Sequence, residues 1–409
     1  MTDKGPKKAA LIFIFITVLL DMIALGIVIP VLPKLIENFL SGNTAAAARM
    51  LGYFGTIWAL MQFVFSPILG MASDRFGRRP VILLSNFGLA LDYILMALAP
   101  SVGLLFAGRV LSGITTASIP AAGSYIADVS PPEKRAEGFG MLGMAFGIGF
   151  VLGPALGGIL GDINPRLPFW AAGALSLANT LYGFFVLPES LARENRSSFS
   201  WAKANPVGSL TLLKSHTRLL SLSVVNFLQT LAHVVLPSIF VLYASYRYGW
   251  SAKTVGLWLA LVGVTNGLVQ GALIRPSIQR FGEQTVLLIG MFFGFLGFLA
   301  FGLAPSGNFF WMGVPLLALW GLSGAALQGM LTELVSATEQ GQLQGAMGSI
   351  RGVAEMVGPA LFTFSFSYVI SRPELHLPGA PFFVAAALMA LSIGLAFAIR
   401  PRVLMVQAK

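Results

Sequence analysis

Residues Gly70–Pro80 have the sequence GMASDRFGRRP and separate two long apolar runs, at about 51–70 and 80–99. Each run has roughly the length that a helix needs to cross a lipid bilayer, so the basic stretch predicts a short turn between two membrane spans. The positive-inside rule accounts for the arginines of such a turn but not for its glycines or its single acid, which is placed to accept hydrogen bonds from arginine. The residues of interest are Gly70, Asp74, Arg75, Gly77, Arg78 and Arg79.

The composition is that of a protein with many membrane spans. Of the 409 residues, 56% are hydrophobic and 10% are charged, and the mean hydropathy is +0.81. Soluble domains have about 25% charged residues. Cysteine is absent, which excludes disulfides, thiol catalysis and cysteine metal sites. The net charge of +10 would by itself be compatible with nucleic-acid binding, so the positions of the charges along the chain must decide.

Twelve apolar runs predict an all-α membrane protein with twelve transmembrane helices. The basic residues 1–8 precede a run that is too long for a signal peptide and lacks a cleavage site, so we expect the first helix to be retained. An even number of spans then places both termini in the cytoplasm. Most of the 26 lysines and arginines fall on that side, which supports the orientation and argues against a nucleic-acid partner. The runs are at about 9–32, 51–71, 80–99, 103–124, 138–160, 167–187, 220–244, 254–274, 285–304, 310–330, 343–369 and 381–399.

The two parts of the chain repeat each other at a shift of 205 residues. Because this shift covers six helices, both copies have the same orientation, as in the parallel repeats of alternating-access transporters, whose site lies between the halves. The alternative is an old duplication that now serves only packing. We divide the chain into an N-terminal half (1–188), a cytoplasmic linker (189–218) and a C-terminal half (219–409). The shift aligns Asp21 with Asn226, 75–77 (RFG) with 280–282, and 153–156 (GPAL) with 358–361.

Three acids within the spans are candidates for proton coupling: Asp21, Asp92 and Glu355. A charged side chain at a helix centre costs about 2.5–3.5 kcal/mol on insertion scales, so we expect each acid to face protein or water rather than lipid. A carboxyl group in such a place can bind either a proton or a cationic substrate group. The alternatives are structural. Arg351 lies one turn from Glu355 and can pair with it, and a helix terminus can satisfy Asp92.

Other polar residues within the spans are candidates to line a substrate cavity. Arg109 needs a buried acceptor, either a carboxylate, which Asp21 or Asp92 can supply, or a freed backbone carbonyl. A single histidine such as His233 is more often a hydrogen-bonded packing residue than a proton carrier. The cavity candidates are Gln62, Arg109, Asn226, Gln229, His233 and Arg351.

The fifth span contains small residues at four-residue spacing, which is typical of close packing between membrane helices. We expect this packing role, with a bend at the proline. The residues are Gly149, Gly153, Pro154, Gly157 and Gly158.

The sequence has no enzyme signature. Gly147-Ile148-Gly149 lies inside a predicted span with no preceding strand, so it is not a dinucleotide site. There is no phosphate-binding loop, and His216, His233 and His376 are too far apart for a metal site. We therefore expect no catalysis, no cofactor and no metal.

Several of these motifs resemble a known family. GMASDRFGRRP resembles the loop signature of the major facilitator superfamily, and 109–113 resembles its fourth-helix motif. Residues 149–158 (GFVLGPALGG) resemble the motif of its drug:proton antiporters. Residues 19–33 (LLDMIALGIVIPVLP) and 90–97 (ALDYILMA) are similar to the tetracycline efflux group. The similarity is stronger in the N-terminal half than in the C-terminal half.

The resemblance implies the major facilitator fold, with two pseudo-symmetric six-helix halves. It also implies that Asp74, the neighbouring arginines and Asp128 form a cytoplasmic gating cluster, and that Asp21, Gln62 and Asp92 lie near the drug and proton path. One departure concerns the ninth span, where the tetracycline exporters carry an aspartate and this chain has Gly294. Tetracycline itself is therefore not implied as the substrate, and Glu355 is a candidate to replace the missing acid.

Together these features predict a proton-coupled antiporter that exports small amphipathic or cationic drug-like compounds. Its partners would be the substrate, protons and lipid, and it would function as a monomer in the bacterial inner membrane. The alternatives are a metabolite facilitator or proton symporter, and a membrane receptor or scaffold without transport.

Overall fold

The computed structural model describes residues 5–116, 118–131, 134–197, 208–214, 217–336 and 339–398. These residues form helices and loops and contain no strand. Twelve helical spans in this described part are long and apolar enough to cross a membrane, which confirms the predicted fold class. The spans are Ala10–Phe39, Thr44–Phe76, Arg78–Leu98, Val102–Val129, Glu137–Ile163, Leu167–Val186, Thr217–Tyr248, Ala252–Phe281, Glu283–Leu303, Gly307–Thr332, Gln340–Ile370 and Ala380–Ala398.

Most spans are longer than the apolar runs that predicted them, because the helices continue into the polar turns. The second span ends at Phe76 because Gly77 has a φ of +112°, a conformation that only glycine adopts readily. Gly282, 205 residues later, ends the eighth span in the same way with a φ of +76°. In both basic turns of the repeat, a glycine with a positive φ therefore ends the preceding helix.

Several spans are interrupted, and the interruptions of the seventh and eighth lie near polar residues. The seventh consists of helices Thr217–His233 and Val235–Tyr248, and the break lies one turn before Pro237. A proline removes one helical hydrogen bond and crowds the preceding turn, which explains the break. The eighth span contains a π-helical turn, Val269–Leu273, and such turns are frequent at functional sites.

The spans pack as two groups of six. In the first group the first span lies against the fifth and sixth, the third against the sixth, and the second against the fourth. In the second group the ninth span lies against the tenth and twelfth, and the seventh against the eleventh and twelfth. The main contacts between the groups are those of the second span with the eleventh and of the fifth with the eighth, and the second half of the seventh span adds smaller contacts with the first and second spans.

The fifth span contacts both groups through adjacent residues. A Cβ on Gly153 would lie 2.6 Å from Cα of Gly26 in the first span, within the same group. The next residue, Pro154, touches the other group, since a Cβ on Gly256 of the eighth span would lie 2.2 Å from its carbonyl oxygen.

The repeat of this sequence in the eleventh span makes the equivalent contacts. A Cβ on Gly358 would lie 2.5 Å from Cγ1 of Val234 in the seventh span. A Cβ on Gly55 of the second span would lie 2.6 Å from Cβ of Pro359. In each copy the glycine therefore contacts its own group and the proline contacts the other group.

Candidate functional site

One face of the eleventh span changes from exposed to buried along its length. This face lies between the side that packs on the second span and the side that packs on the seventh, so it points to the space between the two groups. Its residues are exposed at Gln344, Gly348 and Arg351, half-buried at Glu355, and buried from Gly358 onward. The space between the groups is therefore open at the end where this span begins and closes beyond Glu355.

The fifth span shows the same gradient at the equivalent positions. Phe139 is 47% exposed and Phe150 is 40% exposed, whereas Gly153 and Gly157 are buried. We call the open space between 139–150 and 344–355 the vestibule. It opens at the end of the molecule that carries the Gly70–Pro80 turn.

Glycines in the halves of the spans that lead toward this end have open space beside them. A Cβ on Gly70, Gly143, Gly271 or Gly348, each in a different span, would have no other heavy atom within 4 Å. The vestibule therefore widens toward the turn.

Polar contacts join the two groups at the opposite, closed end. Arg49 donates a hydrogen bond to Ser367 Oγ at 2.9 Å. Asp162, at the end of the fifth span, accepts hydrogen bonds from Ser251 Oγ at 3.0 Å and from the Lys253 backbone N–H at 3.1 Å. Because Ser251 is the N-cap of the eighth span, Asp162 of one group helps to cap a helix of the other.

The C-terminal wall of the vestibule carries three ionisable side chains. Arg351 and His233 are exposed, and Glu355 is half-buried. Arg351 lies within electrostatic range of the other two. It nevertheless forms no ion pair with Glu355 or with any other acid of the described residues. The structural pairing of Arg351 with Glu355 that the sequence left open is therefore not made in this conformation.

A hydrogen-bonded aromatic cluster lies behind this wall. Gln229 Oε1 accepts hydrogen bonds from Trp320 Nε1 at 3.0 Å and from Ser323 Oγ at 2.7 Å. The Trp320 ring also contacts the ring of His233, with 5.6 Å between centroids. Gln229 is thus a buried residue that positions Trp320, and Trp320 supports His233. This cluster fixes the shape of the vestibule wall.

The N-terminal group contains a buried ion pair. Arg109 donates to Asp92 Oδ2 at 2.6 Å, and the Asp92 side chain is fully buried. Of the two acceptors that the sequence offered for Arg109, the structure selects Asp92. Asp21 is only 3% exposed, and it lies within electrostatic range of Tyr93, as do Asp92 and Arg109. These four residues share one buried polar region.

The remaining cavity candidates are half-buried. Asn226 Nδ2 lies 3.6 Å from Sδ of Met347 in the eleventh span. Gln62 lies beside Phe63, and a Cβ on Gly352 would be 2.5 Å from the ring of Phe63. Gln62 therefore lies close to the contact between the second and eleventh spans.

The Gly70–Pro80 turn is held by one arginine that binds two acids. Arg78 forms an ion pair with Asp74, and its Nε donates to Asp128 Oδ2 at 3.1 Å. Arg79 lies 5.6 Å from the ring centroid of Phe184, and Arg75 lies over the ring of its neighbour Phe76. The predicted cluster of Asp74, Asp128 and arginine is thus brought together within the N-terminal group.

The fifth-span small residues are packed as the sequence predicted. A Cβ on Gly149 would lie 2.3 Å from Cβ of Met22, and one on Gly157 would lie 2.0 Å from the carbonyl oxygen of Ile27, both in the first span. Gly158 instead meets the backbone of the eighth span. No side chain fits at these positions without moving a helix.

Known proteins resemble this chain in sequence over most of its length. The family model for the Major Facilitator Superfamily matches residues 14–359. The chain belongs to this superfamily. It is 39% identical to the class C tetracycline resistance protein of Escherichia coli over 87% of this chain and 89% of that protein. It is 35% identical to the class D tetracycline resistance protein of Salmonella ordonez, over 96% and 98%.

Solved structures of the major facilitator fold show the same architecture. The human organic anion transporter TETRAN superposes with a TM-score of 0.70 over 96% of this chain and 100% of its own, at 23% identity. This likeness concerns the fold alone.

The ninth span has Gly294 where the tetracycline exporters carry an aspartate by the resemblance described above. A Cβ on Gly294 would lie 2.8 Å from Cγ of Trp320 and 3.0 Å from Cε of Met389. The indole therefore fills the space in which an acidic side chain would lie. Glu355, on the eleventh span, is the acid that the vestibule does contain.

Two residues with structural roles could not be identified from the sequence, namely Glu189 and Trp320. Glu189 Oε1 accepts from the backbone N–H of Arg78 at 2.9 Å, so it caps the third span from the start of the linker. Nothing in its local sequence marks it, because its partner is 111 residues away. Trp320 is one of many aromatic residues in the sequence, and only its tertiary contacts with Gln229, His233 and Gly294 distinguish it.

Proposed function

We propose that the chain is a proton-coupled antiporter that exports small amphipathic drug-like compounds. The observation that carries this proposal is the vestibule, whose ionisable groups Arg351, Glu355 and His233 lie just before the level at which it closes. An aqueous opening that ends at ionisable groups is the arrangement that alternating access requires. The identity of 39% to a tetracycline resistance protein supports drug export as the direction.

The orientation follows from the positive-inside rule. The vestibule opens at the end with the basic turn, so in the bacterial inner membrane it would face the cytoplasm, with both termini on that side. The chain would then be in an inward-open conformation. Since a single chain contains both groups of six spans, a monomer suffices to enclose the path.

The proposed cycle uses the acids as exchangeable sites. Substrate enters the vestibule from the cytoplasm, and the groups rock about the contacts between the second and eleventh and between the fifth and eighth spans. After release outside, a proton neutralises Asp21, which is 3% exposed in the inward-open conformation and would otherwise be a buried charge once the outer end closes. Protonation thus favours return to the inward-open state, in which the proton leaves to the cytoplasm before the next substrate is exported.

Uptake of a compound panel into energised inverted membrane vesicles tests this proposal. We expect wild-type uptake to require the proton gradient and to stop with a protonophore. The variants Asp21→Asn and Glu355→Gln should lose gradient-driven uptake, whereas Glu374→Gln, an exposed acid in a loop, should not. A proton symporter would release rather than accumulate its substrate in these vesicles. Uptake that is indifferent to the gradient would show that proton antiport is wrong.

A further inference from the structure

Arg351 is an unpaired cation at the centre of a membrane span. It is exposed, and within the described part of the chain it has neither an ion pair nor a side-chain hydrogen bond. An arginine at this depth normally has a carboxylate, a carbonyl or water as its acceptor. Here the vestibule provides water, and that water must leave when the vestibule closes.

The open face that holds Arg351 also holds an anion. Glu355 follows one helical turn later, so the two Cβ atoms are about 5–6 Å apart. On the fifth span, the positions equivalent by the repeat are Phe146, which is half-buried, and Phe150, which is 40% exposed and whose Cδ1 lies 3.3 Å from the position of a Cβ on Gly263 in the eighth span. The vestibule therefore presents a cation and an anion side by side on one wall and two aromatic rings on the other.

Closure of the vestibule sets a requirement on its contents. A charge that is dehydrated without a partner is strongly unfavourable, whereas a paired and hydrogen-bonded charge is tolerated. A cargo with only a positive charge would pair with Glu355 and leave Arg351 unpaired. A cargo with only a negative charge would pair with Arg351 and leave Glu355 unpaired. A cargo with both charges satisfies both residues.

We propose that this vestibule recognises zwitterionic amphiphiles, with Arg351 binding the anionic group, Glu355 binding the cationic group, and the apolar body lying against Phe146 and Phe150. This rests on the proposed export function and specifies its substrate class. Arginine suits the role because its planar guanidinium binds a carboxylate with two parallel hydrogen bonds. His233, the other ionisable group near Arg351, has its ring against that of Trp320, with 5.6 Å between centroids.

The test is equilibrium binding to purified protein in lipid nanodiscs, which needs no proton drive. The probes are a fluoroquinolone with free carboxylate and amine, its methyl ester, which keeps only the cation, and its N-acetyl derivative, which keeps only the anion. Their intrinsic fluorescence gives the Kd by anisotropy. Wild type should bind the zwitterion most tightly. Arg351→Gln should weaken the zwitterion and the N-acetyl derivative by about tenfold or more, the loss of a charge-assisted hydrogen bond, and should bind the ester at least as tightly as wild type, because no unpaired cation then remains.

Glu355→Gln should give the reciprocal pattern, weakening the zwitterion and the ester but not the N-acetyl derivative. Arg351→Lys should recover part of the affinity for both anionic probes. Arg193→Gln, which replaces an exposed linker arginine, is the control and should match wild type. The reciprocal pattern cannot arise from misfolding, which would weaken all three probes alike.

Equal weakening of all probes in both variants, or wild-type affinity in Arg351→Gln, would overturn the inference. In that case Arg351 and Glu355 pair with each other on closure instead of binding cargo. The vesicle assay separates the two proposals. If uptake is driven by the gradient but the reciprocal binding pattern is absent, the zwitterionic substrate class is wrong and proton antiport stands. If the binding pattern is present but uptake does not depend on the gradient, proton antiport is wrong.

Discussion

Trp320 occupies the space beside Gly294, with its Cγ 2.8 Å from the position of a Cβ on that glycine. The indole Nε1 in turn donates to Gln229. A side chain at position 294 would therefore displace the ring that supports His233 and the vestibule wall. The glycine is a structural requirement of this arrangement of the ninth and tenth spans.

We expect Gly294→Ala to lower the free energy of unfolding by about 1–3 kcal/mol, the usual cost of overpacking a core. Thermal unfolding in nanodiscs and tryptophan fluorescence both measure the change. Gly324→Ala is the matched control in the tenth span, because a Cβ there has nothing within 4 Å. If the two variants are equally stable, Trp320 is not held by this contact.

The ion pair between Asp92 and Arg109 should be a stability element. Removing one partner leaves the other charge buried and unpaired, so Asp92→Asn and Arg109→Gln should each cost about 3–5 kcal/mol. The double variant should cost less than the sum of the single changes, because no charge is then left alone. Unfolding in a detergent series measures all three. An additive result would argue against the pairing.

The twelve spans and the repeat could be predicted from sequence because apolar length and a fixed shift between motifs are one-dimensional signals. The hydrogen-bond and ion-pair partners of the polar residues could not be predicted from the sequence. Arg109 had two possible acceptors that differ by a helix rotation, and Glu189 binds a residue more than a hundred positions away. The sequence also cannot show which end of the vestibule is open, since Arg351 and Glu355 lie on one face in either conformation.

The contact of Asp162 with Ser251 and Lys253 should hold the outer end closed. Asp162→Ala removes both hydrogen bonds, so we expect it to shift the population toward an outward-open state. Because the chain has no cysteine, a pair of spin labels can be attached to two introduced cysteines. Ser101 and Ser306, both exposed and related by the repeat, suit this purpose. Their distance distribution should move to longer values in the variant and stay at the wild-type value in Glu374→Gln.

Glu189 should stabilise the basic turn from the linker. Glu189→Ala removes the acceptor of the Arg78 backbone N–H, and loss of such a cap costs about 0.5–2 kcal/mol. Gly77→Ala should cost at least as much, because its φ of +112° is unfavourable for alanine and its Cβ would lie 2.2 Å from Glu189 Oε2. Hydrogen exchange at the start of the third span measures both. Glu194→Gln, an exposed linker acid, is the control. If Glu189→Ala exchanges no faster than this control, the turn is held by Arg78 and the two acids Asp74 and Asp128 alone.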